Sequence, residues 1–387
     1  MPPGKQNKPK RRESQKRQMP QTAKIHKDTL PRGTSDRLIL DQVEQILPGK
    51  ALLILVTGTA LAKHLTRLRS EVSWNIFTCE HFYMTAIVNA LSEDDEANSN
   101  YTEIELFCTP DPPEDDYDTI VFPTDSKGSS EFTRDLLQSA ANMLKPGGRL
   151  IASTNNPKDH WLLDHLKETF GRTTIIKAKD GVCYIARKKE KPNKQKNFDC
   201  EFAFRDGETL IPCASRPGVF SHRRVDAGAR ALIRSLNLLE HDKRWSKRPP
   251  RSIIEMGCGC GSVSTATALR FPTARVIAID SHARAIQSSE RTAALNGATN
   301  VAFLLDSGGN VPEPGTHDLF LCNPPYYSDF RISELFLQAA VDSLRPGGRI
   351  HLVSKLTDWH HNRMIEIFAN ADVHRLGDYD VITSINR

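Results

Sequence analysis

"RSIIEMGCGCGSVSTATALRF", Arg251 to Phe271, decides the fold. A short apolar run of buried-strand character meets glycine at 257, 259 and 261, and a segment with helical spacing follows. Strand, tight turn and helix in that order open a parallel α/β unit. The glycines let the backbone turn sharply and approach a ligand with no Cβ in the way. Downstream the alternation continues. "ARVIAID" reads as a strand, and "SHARAIQSSERTAALNG" as a helix that starts at a Ser281 cap and stops at Asn296-Gly297. "VAFLLD", "HDLFLC" and "GGRIHLVS" read as further strands, with "ISELFLQAAVDSL" as a helix between the last two.

Working outward, the same plan occurs twice. "LKPGGRLIAS" begins at Leu144 and "LRPGGRIHLVS" at Leu344; "YDTIVFPTDS" begins at Tyr117 and "HDLFLCNPPY" at His317. Both pairs are 200 residues apart, with no gap between the matches, which argues for a duplicated domain. "ALLILVTG", "WNIFTC", "EIELFC", "DTIVFP" and "GGRLIAS" supply the weaker strand set of the first copy. The expected fold class is α/β, with two tandem doubly wound Rossmann-like units, the first degenerate.

Length and composition agree with this. A chain of 387 residues holds two or three ordinary domains, and 39% hydrophobic against 26% charged residues fits a soluble globular protein. No apolar run approaches the roughly 18–20 residues of a membrane span, and no signal peptide opens the chain. The eight cysteines are scattered without metal-ligand spacing, the pattern of reduced thiols in a cytoplasmic protein with no metal. Residues 1–33 carry ten Lys or Arg against two acids and almost nothing apolar, so a disordered tail is expected there. It can be a nucleic-acid arm or a solubilising tail. "RKKEKPNKQKN", Arg187 to Asn197, reads as a linker. The expected organisation is a tail at 1–33, a degenerate unit at 34–189, a linker at 190–197 and a working unit at 198–387.

Only the second unit carries a complete ligand turn. Glu255 precedes Gly257, Gly259 and Gly261, and Asp280 ends the next strand, where a carboxylate can take both hydroxyls of a ribose. A dinucleotide fingerprint would need glycine at 262, which is Ser262. The pattern E-x-G-x-G-x-G is the form typical of S-adenosylmethionine pockets. In the first unit the turn reads "LVTGTAL" with a lone Gly58, Cys79-Glu80 stands where Asp280 stands, and "PTDS" replaces the later "NPPY". That unit is expected to bind no cofactor.

The fourth strand ends in Asn323-Pro324-Pro325-Tyr326. Prolines donate no ladder bond and keep the exit stiff and extended. The Asn323 side-chain oxygen and the Pro324 carbonyl can accept both hydrogens of a planar exocyclic amine, which aims its lone pair at a methyl donor. Tyr326 offers a stacking face. These features point to an amino-group methyltransferase. On the residues alone, guanine N2, adenine N6, cytosine N4 and the side-chain amide of a protein glutamine all remain open as targets, as does a non-enzymatic RNA-binding or ribosome-assembly module.

With these motifs, "RPGVFSHRRVDAGARALIRSL" at Arg216 to Leu236 resembles the lead-in of the ribosomal RNA small subunit methyltransferase C family and its large-subunit relatives, which are guanine-N2 methyltransferases. The resemblance covers most of residues 198–387 and only the architecture of 34–189. It implies S-adenosylmethionine as cofactor and ribosomal RNA or a ribosomal subunit as partner, small-subunit rRNA before large. It also implies that Asp306-Ser307 flank the adenine, that Asn323 to Tyr326 hold guanine, and that Phe220 and Asp226 shape the pocket wall. The family has Phe where Tyr326 stands, and Lys355 stands where Asn is expected. Blander readings attach to other residues. Cys258 and Cys260 are small turn residues, Trp359-His360-His361 either contacts RNA or, more simply, packs at a helix start, and Arg223 and Arg224 either meet phosphate or sit in a solvated loop.

Overall fold

The Pro-Gly-Gly turns that mark the repeat have a physical cause in both copies. Gly147 and Gly347 adopt φ of 81° and 76°, in the left-handed region. A Cβ on Gly148 would lie 2.9 Å from the Lys145 carbonyl and 3.1 Å from that of Asp118; on Gly348 it would lie 3.0 Å from Arg345 and 2.8 Å from His317. The strand before each turn supplies the matching acid. Lys145 Nζ donates to Asp118 at 2.8 Å, and Arg345 Nε to Asp318 at 2.7 Å. The same carboxylates accept backbone N–H groups at the start of each unit's first strand, from Lys50 and from Arg251 and Ser252. Sequence repeats here because one turn geometry, one close approach and one ion pair are built twice.

A computed structural model describes residues 33–56, 58–92, 103–188, 195–240, 242, 245, 247–325 and 329–387. The first unit runs α1 (Thr34–Leu40), β1 (Lys50–Ile54), α2 (Ala60–Leu68), β2 (Ser73–Thr78), α3 (His81–Ser92), β3 (Ile104–Cys108), β4 (Tyr117–Thr124), α4 (Ser130–Met143), β5 (Leu144–Thr154), α5 (Trp161–Thr169), β6 (Thr173–Lys177) and β7 (Val182–Arg187). A hairpin, β8 (Cys200–Asp206) and β9 (Thr209–Ser215), then leads through α6 (Ala227–Ser235) and α7 (Asn237–Glu240) to the second unit. That unit continues β10 (Ser252–Met256), α8 (Ser262–Arg270), β11 (Arg275–Asp280), α9 (Ala283–Leu295), β12 (Val301–Leu305), β13 (His317–Cys322), α10 (Arg331–Ser343), β14 (Leu344–Ser354), α11 (Thr357–Phe368), β15 (Asp372–Leu376) and β16 (Tyr379–Ile385).

Strand order is identical in the two sheets, β3-β2-β1-β4-β5-β7-β6 and β12-β11-β10-β13-β14-β16-β15. Five strands of each are parallel, and each sheet ends in an antiparallel pair formed by its last two strands. Both faces are covered, which is why the central strands read as continuous apolar runs. Leu52 and Ile54 of β1 face one core while Ala51 and Leu53 face the other; Ile253 and Ile254 divide in the same way in β10. The α9 cap differs from expectation. The helix begins after His282, whose Nδ1 accepts the Arg284 N–H at 3.1 Å, so the cap is one residue beyond Ser281. The hairpin β8–β9 and the terminal antiparallel strands have no counterpart in the sequence reading. The expected tail lies outside the described residues except for Gly33, as does most of the expected linker (189–194).

The units meet where their second strands end. Glu80 and His282 form an antiparallel bridge; His81 N–H donates to the Ser281 carbonyl at 2.8 Å and Ala283 N–H to that of Cys79 at 2.7 Å. Beside this bridge lies Arg284, fully buried although it carries a charge. Its guanidinium donates to the carbonyls of Pro110 and Pro217 at 2.7 and 3.0 Å and pairs with Asp135 at 2.7 Å and Asp111 at 3.2 Å. Phe132 packs against its face at 4.8 Å. Arg216 pairs with Asp111 as well, and Arg223 makes two bonds of 3.0–3.1 Å to Glu131 of the first unit. Arg223 is therefore a clasp between the units, which neither expectation for it foresaw.

Candidate active site

Three neighbouring strands deliver the site in register. Ile279, Met256 and Cys322 are partners across β11, β10 and β13. One residue further on, each strand ends in a candidate: Asp280, Gly257 and Asn323. Adjacent strands are about 4.8 Å apart, so all three stand at one crevice, the switch point where chain order reverses across β10.

Gly257, Gly259 and Gly261 have φ of 81°, 55° and 77°. A Cβ on Gly261 would fall 2.3 Å from the Ser289 hydroxyl and 2.7 Å from its Cα, so this glycine seats the turn on α9. A Cβ on Gly259 would meet nothing within 4 Å, which leaves that face of the turn open. The Gly259 N–H donates to Asp280 Oδ2 at 2.8 Å and the His282 N–H to Oδ1 at 2.9 Å, so the carboxylate is held in one orientation. Burial raises the Asp280 pKa, and N–H donors from Gly259, His282 and Ser281 oppose the rise. Glu255 is buried under the turn with Oε2 unpartnered; burial pushes its pKa well up against hydrogen bonds from Ser264. Cys258 and Cys260 are buried small residues of the turn, and all eight cysteines are free.

Asp306 follows β12, its N–H donating to the Asp280 carbonyl at 3.0 Å. Its carboxylate closes its own turn by accepting from Gly308 and Asn310. Ser307 lies at the edge of the crevice and its hydroxyl is 3.0 Å from His81 Nδ1. Glu80 accepts from the Ser281 hydroxyl at 3.0 Å, and burial raises its pKa to about 6. The first unit thus touches both rims of the crevice, a contact no local motif announces.

Asn323 is partly buried at the end of β13, with Pro324 and Pro325 following; Tyr326 lies outside the described residues. Asn323 Nδ2 donates to Asp226 Oδ2 at 3.1 Å. The same oxygen caps α6, accepting the N–H of Gly228 at 2.8 Å and of Ala229 at 3.2 Å. With Nδ2 committed, the Asn323 side-chain oxygen is left as an acceptor. A Cβ on Gly228 would lie 2.8 Å from Asp226 Oδ2 and 3.1 Å from both polar atoms of Asn323. Gly228 was not a sequence candidate; a glycine in the first turn of a helix, two residues after its cap, is the signal that could have found it. Phe220 is 71% exposed. Beyond the turn, Phe330 stacks on Trp359 with centroids 4.0 Å apart, and His360 is buried against Ser354 and Ser333. Lys355 rests over the Tyr379 ring at 4.6 Å.

The first unit is different at the matching place. Its lead helix α1 donates the Ser35 hydroxyl to the Thr124 carbonyl at 2.6 Å, over the end of β4. Asp36 is buried there, 3.6 Å from where a Gly58 Cβ would stand, and burial raises its pKa to about 6.

Residues 211–383 match the family described as methyltransferase small domain. Ribosomal RNA small subunit methyltransferase C of Pseudomonas aeruginosa (strain LESB58) is 33% identical over 153 residues, 38% of this chain and 42% of that protein. Ribosomal RNA large subunit methyltransferase G of Streptomyces avermitilis is 28% identical over 166 residues, 42% of each chain. The chain therefore spans about two fifths of the length of the curated relatives it matches. A T. thermophilus 16S rRNA N2 methyltransferase, solved in complex with AdoMet and guanosine, superposes with a TM-score of 0.74 over 92% of each chain at 18% identity, a likeness of fold across both units. The second half thus carries a methyltransferase small domain, and the two sheets of one strand order have the fold of that T. thermophilus structure.

Proposed function

We propose that the protein is an S-adenosylmethionine-dependent methyltransferase that modifies guanine N2 in ribosomal RNA, of the small subunit before the large. The observation that carries this reading is the Asn323 side-chain oxygen left free as an acceptor by the Asp226 bond, beside the glycine turn and Asp280. The residues fit the cofactor. Asp280, oriented by two N–H groups, suits a ribose diol; the open face of Gly259 suits close approach; the unpartnered oxygen of Glu255 suits a cationic amino group. Ser307 and Asp306 would line the adenine side.

Bound S-adenosylmethionine supplies a methyl group on a cationic sulfur. The chain's own residues orient the amine. Asn323 Oδ1 and the Pro324 carbonyl accept its two hydrogens, drawing the nitrogen out of conjugation with the ring. Asp226 prevents the Asn323 amide from turning its N–H face to the substrate. The amine nitrogen held by Asn323 and Pro324 would carry a positive charge after accepting the methyl group and would release a proton to water. No strong base is needed. Tyr326 and the exposed Phe220 supply aromatic surface for the base and its neighbours.

The first unit is proposed to bind no cofactor, since buried Asp36 stands at Gly58, the lone glycine of its first strand-to-helix turn, and no acid precedes that turn. The defining experiment incubates purified chain, labelled cofactor and unmodified small-subunit rRNA, then identifies the nucleoside by mass spectrometry. N2-methylguanosine supports the reading. Label in adenosine, cytidine or protein glutamine overturns the target, and calorimetry showing two cofactor sites per chain overturns the division between units.

A further inference from the structure

A second concave surface lies on the outer side of α6. The hairpin β8–β9, α6, the start of α7 and the end of α8 enclose an open groove of about 340 Å3. It is lined by Arg205, Arg230, Arg234 and Arg270 together with Phe204 and Ile233. Arg270 is fixed by Asp206 at 2.7 Å and by the Asn237 side chain at 2.6 Å. The other three guanidiniums have no carboxylate partner among the described residues. Arg230 lies 5.8 Å over the Phe204 ring, and Arg205 donates to the Glu208 carbonyl at 3.3 Å. Arg234 packs where a Cβ on Gly377 would be 3.0 Å from its Nη1. Asp206 therefore offsets one charge of four.

This concentration stands apart from the chain's average. Once the basic segment 1–33 is set aside, residues 34–387 carry a small net negative charge. Neighbouring like charges repel in the free protein and are relieved by an anion. Arginine presents paired N–H donors that match phosphate oxygens. The groove is also tied to the site by one rigid element. Asp226, which holds Asn323, caps α6; Arg230 lies four residues on and Arg234 eight, about 6 and 12 Å along the axis.

We propose that this arginine groove is a phosphate-binding subsite that seats the RNA backbone flanking the nucleotide held at Asn323. The proposal rests on the RNA reading above and deepens it. A polyanion is favoured over a lone nucleotide because the groove is open and continues the line of α6 away from the base pocket.

The test uses the full chain and its Arg230→Gln, Arg234→Gln and double variants, with small-subunit rRNA as the probe. The double variant should bind RNA about tenfold or more weakly, and its slope of log affinity against log salt should fall by about 0.7–0.9 per lost phosphate contact. Arg230→Lys should keep most of the slope, and cofactor affinity by calorimetry should be unchanged. Equal RNA affinity and slope in wild type and double variant would overturn the proposal while leaving methylation of RNA intact. A wild type that neither binds nor methylates RNA would instead overturn the reading beneath it. An inorganic-phosphate titration separates the sources: phosphate binding lost in the double variant with RNA affinity unchanged makes the groove a small-anion site and overturns the RNA role.

Discussion

Asp226 Oδ2 accepts the Asn323 side-chain N–H at 3.1 Å while capping α6, so one carboxylate both starts a helix and orients the amide at the end of β13. Asn323→Ala should therefore leave cofactor affinity within a few-fold and lower methyl transfer by roughly two orders of magnitude, the scale of one preorganised polar group. Asp226→Ala should cost about 1 kcal/mol of stability through the lost cap and lower single-turnover rate at saturating substrate. Asp226→Asn, which can still cap and accept, should recover most of both. Unchanged single-turnover rates in Asp226→Ala would remove its orienting role.

Gly228→Ala separates stability from activity. Alanine is favoured over glycine in a helix by about 1 kcal/mol, yet the new Cβ would press on Asp226 and on both polar atoms of Asn323. Melting temperature should change little while methyl transfer falls at least tenfold. A fully active variant would show that the Asn323 position tolerates displacement.

Asp280→Ala removes the acceptor for the Gly259 and His282 N–H groups along with the proposed ribose contact. Cofactor affinity by calorimetry should fall tenfold to a hundredfold, matching roughly 1.5–3 kcal/mol for a charged hydrogen bond. An unchanged dissociation constant would place the ribose elsewhere.

Glu80 makes the contact between units pH-dependent. Burial is the main cause of its raised pKa, the Ser281 hydroxyl opposes the rise, and the Asp280 charge adds to it; Tyr83, Cys79 and Cys108 also feel Glu80. Its folded pKa of about 6 exceeds the ordinary 4.5, so the folded state favours the protonated form. That contribution is present below pH 4.5 and is lost as pH rises through 6, a change of about 2 kcal/mol. Glu80→Gln should raise the melting temperature at pH 7–8 relative to wild type and not at pH 4.5. Parallel pH profiles would refute this. His81→Ala, which frees Ser307, should weaken cofactor binding with little effect on melting.

Arg284→Met should destabilise the chain by about 3–5 kcal/mol, because Asp135 and Asp111 both lose their buried partner and keep only Arg216, at 3.9 Å from Asp135 and 2.6 Å from Asp111. Arg284→Lys keeps the charge without the planar fork and should fall between. Urea unfolding curves read both. A wild-type midpoint for Arg284→Met would mean the interface stands without its buried charge.

Most of the fold was legible because its signals are local. Glycine spacing after an apolar strand, a carboxylate one strand later and two Pro-Gly-Gly turns 200 residues apart all lie within short windows, and each answers to a backbone requirement seen in the structure. Asn323, Gly257 and Asp280 could be named from sequence because strand ends in a parallel sheet converge at its switch point. Tertiary structure alone decided what depends on distant partners. Asp226 reaches Asn323 across 97 residues, His81 reaches Ser307 across 226, and Arg284 finds the Pro110 carbonyl and the Asp111 and Asp135 carboxylates in the other unit. No periodicity marks these residues, since a hydrogen bond or buried ion pair needs only that two groups meet, and where chains meet is set by packing.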